Sequence, residues 1–334
     1  MSARTEGLAP ATRRSRLAGL GGDARGIYLV LVAVLVVSYF LVDNAGGNLL
    51  TGDNIRNMLV RSVALGIVAV GQTLVILAAS LDLSVAYLIS VTAVLSSAIM
   101  AGDPARVPLA LAVVLAVGAA VGLLNGLLVT KGKIHPFIVT LGTGLVLRGL
   151  LSSRFSSFAG EVAPGFQTQL GYGLVAGIPI SVILFAVVAV GAGYMLRSTR
   201  FGSHLYGVGG SEEIARLSGV RSDRVLIRAH VLCSLTAVLS GLFIVARLGS
   251  GAPWVGPDGG YDLESIAAVV LGGTALSGGR GGVAGTVAGV LILAVLDNVF
   301  NQLQVDPFIK QVIRGVIIIL AVASYAIRAK RSEG

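Results

Sequence analysis

The sequence predicts an all-α, polytopic membrane protein of about ten transmembrane helices, resembling no soluble class, with both termini in the cytoplasm. Three observations carry that prediction. Hydrophobic residues make up 55% of the 334 positions and charged residues only 12%, about half the charge of a soluble domain. Mean hydropathy is +0.89. The charge is also gathered between long apolar runs, the arrangement a bilayer imposes.

A helix needs about 20 apolar residues to cross the hydrocarbon core. The first run, 27–42, follows a basic stretch holding Arg13, Arg14, Arg16 and Arg25. Nine further runs follow it, so it reads as an uncleaved span rather than a secretory signal. The others are 57–79, 85–101, 108–130, 137–151, 173–196, 229–248, 263–276, 283–300 and 309–327. The fifth and eighth are short, which marks them as candidates for broken or re-entrant segments. The layout is then a cytoplasmic tail over 1–26, a transmembrane domain over 27–328 with a cytoplasmic loop over 197–228, and a short tail over 329–334.

Charge tests the orientation. With the N-terminus inside and the spans alternating, seventeen Lys and Arg fall in inner loops and tails and four in outer loops. Basic residues concentrate on the cytoplasmic side of membrane proteins, so the asymmetry supports an even number of spans. The net charge of +9 therefore reports topology and not nucleic-acid binding. The single cysteine, Cys233, excludes an intramolecular disulfide and a cysteine metal cluster. His135, His204 and His230 show no ligand spacing.

Four stretches carry polar groups where apolar ones are expected. The first, Gly71 to Val85, reads G-Q-T-L-V-I-L-A-A-S-L-D-L-S-V. Asp82 is costly in lipid, so it either caps the next helix at the interface or marks a broken helix end lining a pathway. Gln72 and Ser84 flank it. The second, Asn125 to Thr143, is a helix end, a basic turn at Lys131 and Lys133, and a helix opened by Pro136. Asn125, Thr140 and Thr143 either join helices or face a pathway.

The third stretch lies in the large inner loop and reads G-G-S-E-E-I-A-R-L-S-G-V from Gly209 to Val220. Ser211 followed by acids is a helix start, and Gly219 is a stop. A short charged helix results, read either as a solvated linker or as a docking helix for a cytoplasmic partner. The fourth, Tyr261 to Val283, is glycine-rich after Leu271. No strand precedes it, so a dinucleotide loop is a poor reading, and no P-loop occurs in the chain. The glycines fit a sharp turn and close helix packing.

In this order the four stretches resemble the permease subunits of bacterial ABC importers for ribose and related monosaccharides. The family pattern G-x-T-L-V-I-L…x-D-L-S-V-G is matched from Gly71 to Val85, with Ala86 in place of the last glycine. N-G-L…I-x-P-F-I-V-T-L-G-T is matched from Asn125 to Thr143. G-G-N-E-E-A-A-R-L-S-G-I is matched from Gly209 to Val220, with Ser211 and Ile214 as departures. E-L-x-x-I-A-A-V-V-x-G-G-T-x-L-x-G-G-R-G is matched from Asp262 to Gly281, Asp262 replacing the first glutamate.

The resemblance implies an importer in the bacterial cell (inner) membrane. Two permease subunits, expected to be identical copies, would form the pathway. Separate ATPase subunits would hold ATP and Mg, with no cofactor on this chain and no catalysis by it. A periplasmic or lipid-anchored binding protein would deliver the sugar. It also implies that 210–219 is a coupling helix, with Gly210, Ser211, Glu212, Glu213, Ala215, Arg216 and Gly219 at the ATPase. Gln72, Asp82, Ser84, Asn125, Thr140 and Thr143 are the expected pathway residues. Cargo stays open between monosaccharides, branched-chain amino acids and nucleosides. An ion-coupled secondary transporter would instead use Asp82 or Asp297 as a relay. A membrane enzyme is disfavoured, because no paired-carboxylate or Ser-His-Asp pattern is readable.

Overall fold

A computed structural model describes residues 13–306, 308–313, 315, 316 and 319, with side chains from residue 26 onward. The protein is a helical membrane bundle. Its helices are α1 (Arg13–Asn44), α2 (Gly52–Leu77), α3 (Val85–Met100), α4 (Val107–Thr130), α5 (Pro136–Ser152), the single turn α6 (Pro164–Phe166), α7 (Ile180–Ser198), α8 (Arg200–Gly210), α9 (Glu212–Leu217), α10 (Ser222–Leu248), the turn α11 (Val255–Asp258), α12 (Tyr261–Leu271) and α13 (Val283–Gln302). A two-residue hairpin, β1 (Leu174–Val175) with β2 (Ile178–Pro179), precedes α7.

Six of the described helical stretches are long and apolar enough to cross a membrane: 26–44, 52–77, 104–130, 180–198, 222–248 and 283–302. α3 and α5 are apolar but shorter. α1 starts well ahead of residue 27, so helix continues into the expected N-terminal tail. The tenth expected span resumes as helix over 308–313, and most of it, with the C-terminal tail, lies outside the described residues.

The centre of the bundle is α2, α3 and α10. Every residue from Ser62 to Leu77 of α2 is buried, as in a helix surrounded on all sides. α1, α4, α5 and α7 stand around it and turn Val30, Leu109, Ile138 and Val190 outward, the apolar exterior that lipid requires. Close approach of α4 to α10 rests on one stripe of α4. A methyl at Gly122 would lie 2.6 Å from Val231 Cα, and one at Gly126 2.7 Å from Ile227 Cα. Small residues four apart are how membrane helices bring backbones together.

The eighth expected span is the main departure. Helix there covers only Tyr261–Leu271, about 16 Å at 1.5 Å per residue, and ends where Gly273 takes φ +85°. The crossing is shared with an extended stretch after α10. Gly251 lies against Val94 and Ser97 of α3, and Gly256, whose N–H donates to Ser90 Oγ at 2.9 Å, lies against Ala86. The chain thus turns back along α3 before α12 begins.

The packing gives a direct test. Gly122→Val should lower the thermal unfolding temperature of the detergent-solubilised protein by the equivalent of about 1–3 kcal/mol, the cost of overpacking. Gly142→Val, on the open side of α5 with nothing within 4 Å of the added carbon, should be close to neutral.

Candidate functional site

Two centres emerge from the polar residues. One surrounds the break between α2 and α3. Ala78 and Ala79 end α2, Ala79 at φ +57°, and 80–84 fold back into the bundle. Asp82 is fully buried there. Its Oδ1 accepts from Ser84 N–H at 2.9 Å and from Ser84 Oγ at 2.5 Å. Its Oδ2 lies 3.4 Å from His230 Nδ1, on α10, and His230 Nε2 lies 3.0 Å from Ser80 Oγ. The amide of Gln72, oriented to satisfy both groups, donates to Asp82 O at 3.2 Å and accepts from Asp82 N–H at 3.3 Å.

The network reaches further. Asn125 Nδ2 donates to Ser84 Oγ at 2.9 Å, and Thr143 Oγ1 donates to Asn125 Oδ1 at 2.7 Å. Five of the six residues expected at the pathway are therefore one chain of hydrogen bonds across α2, α3, α4 and α5. Thr140 stands apart, donating to Pro136 O at 2.9 Å. In the network Gln72, Asp82, Ser84 and Asn125 are fully buried. Their geometry seals a broken helix, since each free backbone group at membrane depth needs a partner.

The second centre is the loop between α7 and α10. Ser211 caps α9, accepting from Ile214 N–H at 3.3 Å, and Gly219 at φ +80° follows its end. Arg216 does not extend outward. It reaches Glu212 at 2.8 Å, Asp223 at 3.0 Å and Ser222 Oγ at 3.1 Å. Asp223 also pairs with Lys131, at the end of α4. Each pair is partly exposed and weak alone, but together they fasten α9 to two spans. Ala215 is buried beneath it. What α9 presents to solvent is Glu213 with Ile214, 66% exposed, and Leu217, 83% exposed.

A glycine seam links the two centres. A methyl at Gly209, at the end of α8, would sit 1.8 Å from Leu77 O. Gly279 N–H donates to that same carbonyl at 3.0 Å. Tyr206 of α8 donates to Gly281 O at 2.9 Å. Burial pushes the Tyr206 phenol above its ordinary value, with Arg197 opposing, so it stays protonated as a donor. The α8–α9 unit, the end of α2 and the loop after α12 thus meet at one point.

Sequence reasoning missed several of these groups. His230 gave a signal, a titratable ring at the start of the apolar run 229–248. α8 did not, because its glycines and Ser203 argue against helix. Ile214 and Leu217 were masked by the neighbouring charges Glu212, Glu213 and Arg216.

Residues 54–322 match the family described as "Branched-chain amino acid transport system / permease component". The ribose import permease protein of Escherichia coli K12 is 39% identical over 298 residues, covering 87% of this chain and 91% of the relative. That of Bacillus subtilis 168 is 40% identical over 313 residues, covering 90% and 91%. The xylose transport system permease protein of Escherichia coli K12 is 28% identical over 369 residues, covering 92% and 93%. No solved structure matches the chain.

Removing the Asp82 carboxylate tests the first centre. Asp82→Ala strips partners from Ser84 and His230 in a dry interior, so it should cost about 3–5 kcal/mol, read as loss of the monodisperse folded fraction on heating. Asp82→Asn keeps the shape and one acceptor and should cost about 1–3 kcal/mol.

Proposed function

Because the chain belongs to the family of branched-chain amino acid transport system permease components, we propose that it forms the membrane pathway of an ATP-driven importer of a monosaccharide. It is a multi-pass permease of the bacterial cell (inner) membrane. The sugar cargo is supported by the ribose and xylose permeases it resembles. The family description names branched-chain amino acids, which makes them the cargo to test against.

The observation that carries the reading is α9. A short helix with two large apolar side chains in solvent, clamped by Arg216, Asp223 and Lys131, is a rigid surface awaiting a partner. Exposed apolar patches rimmed by charge mark protein contacts. The partner proposed is a separate ATPase subunit, which would hold ATP and Mg while this chain holds no cofactor and catalyses no reaction. A second permease copy and a sugar-binding protein on the opposite side complete the importer. A cytoplasmic α8–α9 side is supported by its basic residues Arg197, Arg200, Arg216, Arg221, Arg224 and Arg228 through the charge rule, and an even number of spans would leave both termini there.

The clamp explains how force would pass. ATP closure would displace α9 against Ile214 and Leu217. Arg216 would transmit that movement to α10 and α4, and the Gly209–Leu77–Gly279 seam to α2 and α12. Alternation of access then needs the cargo to have different affinity for the two states.

Gly210, Ser211 and Gly219 shape α9 in this reading, Glu213 adds charge to the docking face, and Glu212 and Arg216 hold it in place. The experiment is reconstitution with the ATPase and binding protein, with uptake of ribose, xylose, leucine and adenosine compared. ATP-dependent uptake of a pentose is expected. Uptake of leucine alone would move the cargo, and uptake driven by a proton gradient without ATPase would overturn the importer. Leu217→Asp should weaken ATPase binding by about 30-fold, the size of a buried anchor at an interface, in co-purification and titration. The same substitution at Thr168, in the π-helical 167–172 turn on the opposite side, should leave ATPase binding as it was.

A further inference from the structure

The outer face of α4 and α10 carries a line of arginines. Arg221 is the N-cap of α10, and Arg224 and Arg228 follow it three and seven residues on, a spacing that puts all three on one side of the helix. Each is exposed. Among the described residues their side chains join no ion pair or hydrogen bond. The cations beside them are matched: Lys131 pairs with Asp223, and Arg216 with Asp223 and Glu212. These pairs wall a cavity of about 290 Å³ that Arg221 and Arg224 also line. Two acids offset two cations there, so the charge of Arg221 and Arg224 is left over. Arg228, one turn further along α10, adds to it.

Depth distinguishes this patch from an ordinary charged surface. Arg221 and Arg228 are about 10 Å apart along the axis at 1.5 Å per residue. Arg228 directly precedes the apolar run 229–248. The line therefore runs from solvent to the hydrocarbon boundary, through the layer that lipid headgroups occupy.

The surface beyond it is aliphatic. Leu127 and Leu123 lie about one and two turns before Lys131 on α4, and both are exposed. The two helices run antiparallel, with Gly122 of α4 against Val231 and Gly126 against Ile227. At about 100° per residue, Leu123 and Leu127 on α4 fall to the same side of that contact as Arg224 and Arg228 on α10. One surface thus joins unmatched guanidinium groups to exposed leucines.

That combination selects the occupant. A soluble anion would use only the charges. A second copy of this chain, meeting the face across a two-fold axis, would bring its own arginines to it, and a surface of one sign is not complementary to itself. An anionic phospholipid uses both parts, with phosphodiester oxygens for the guanidinium forks and acyl chains for the leucines. Basic clusters at the end of a membrane span attract such lipids. We propose that Arg221, Arg224 and Arg228 form a binding site for the headgroup of an anionic phospholipid such as phosphatidylglycerol, whose chains lie along Leu123 and Leu127. The bound head neutralises the arginines beside the pairs that fasten α9. The site depends on neither the cargo nor the ATPase.

The test is thermal unfolding of the purified full chain in nanodiscs of phosphatidylcholine, alone or mixed with phosphatidylglycerol, together with native mass spectrometry of the lipid it retains. Phosphatidylglycerol should raise the unfolding temperature of the wild type, because a ligand of the folded state stabilises it. Arg221→Gln, Arg224→Gln or Arg228→Gln alone should weaken retention about fivefold, the weight of one arginine near an anionic surface. The three together should abolish the rise while leaving unfolding in phosphatidylcholine as in the wild type. Lysine at all three positions should restore most of the retention, which separates lost charge from lost fold. Equal phosphatidylglycerol retention by the triple glutamine variant and the wild type would overturn the site. So would full displacement of the lipid by soluble glycerol 3-phosphate, the mark of a free-anion site. A triple glutamine variant that loses self-association but keeps the lipid would also overturn it, as the mark of a contact between copies.

Discussion

The structure depends on how a backbone break is satisfied inside an apolar bundle. α2 stops at Leu77 and α3 starts at Val85, and the residues between fold back to the level of Gln72 and His230. In lipid every free N–H and C=O must find a partner, so a carboxylate that accepts from its own loop is the economical solution. Asp82 does this through Ser84 while Gln72 matches both backbone groups of Asp82 itself. His230 and Asn125 extend the contacts to α10 and α4. A purely apolar segment could not hold this loop, and a solvated one could not sit here.

That constraint also sets what packs at the end of α2. Because the break is fixed, the end of α2 is a firm abutment against which Gly209 and Gly279 pack by backbone alone. Side chains at these positions would hold the α8 end and the α12 loop apart. Backbone-to-backbone contact without intervening side chains leaves little compliance, so displacement on one side of the seam reaches the other.

Much of this was legible in the sequence, for physical reasons that can be named. Apolar run length shows the spans, and Ser211 and Gly219 show the ends of α9, because caps and stops depend on local chemistry. The length of α12 was half legible. Hydropathy runs smoothly from Leu263 to Leu276, yet Gly272 and Gly273 are a stop signal inside that run. The clamp was not legible. Arg216 finds Asp223 only after the turn at Gly219 reverses the chain, and Lys131 arrives from a helix 92 residues away. Nor could spacing tell that Asn125 and Thr143 bond each other, since that depends on how α4 and α5 cross.

The polar residues around Asp82 are satisfied by the protein alone. The group is buried and internally bonded, so sugar hydroxyls would have to compete with hydrogen bonds already made. A site on a pathway must bind well enough to admit cargo and weakly enough to release it, as in channels. A dry, saturated network meets the opposite requirement and gives a rigid frame. The frame locates the break, and the break gives the end of α2 a fixed position against which the α8 end and the loop after α12 pack.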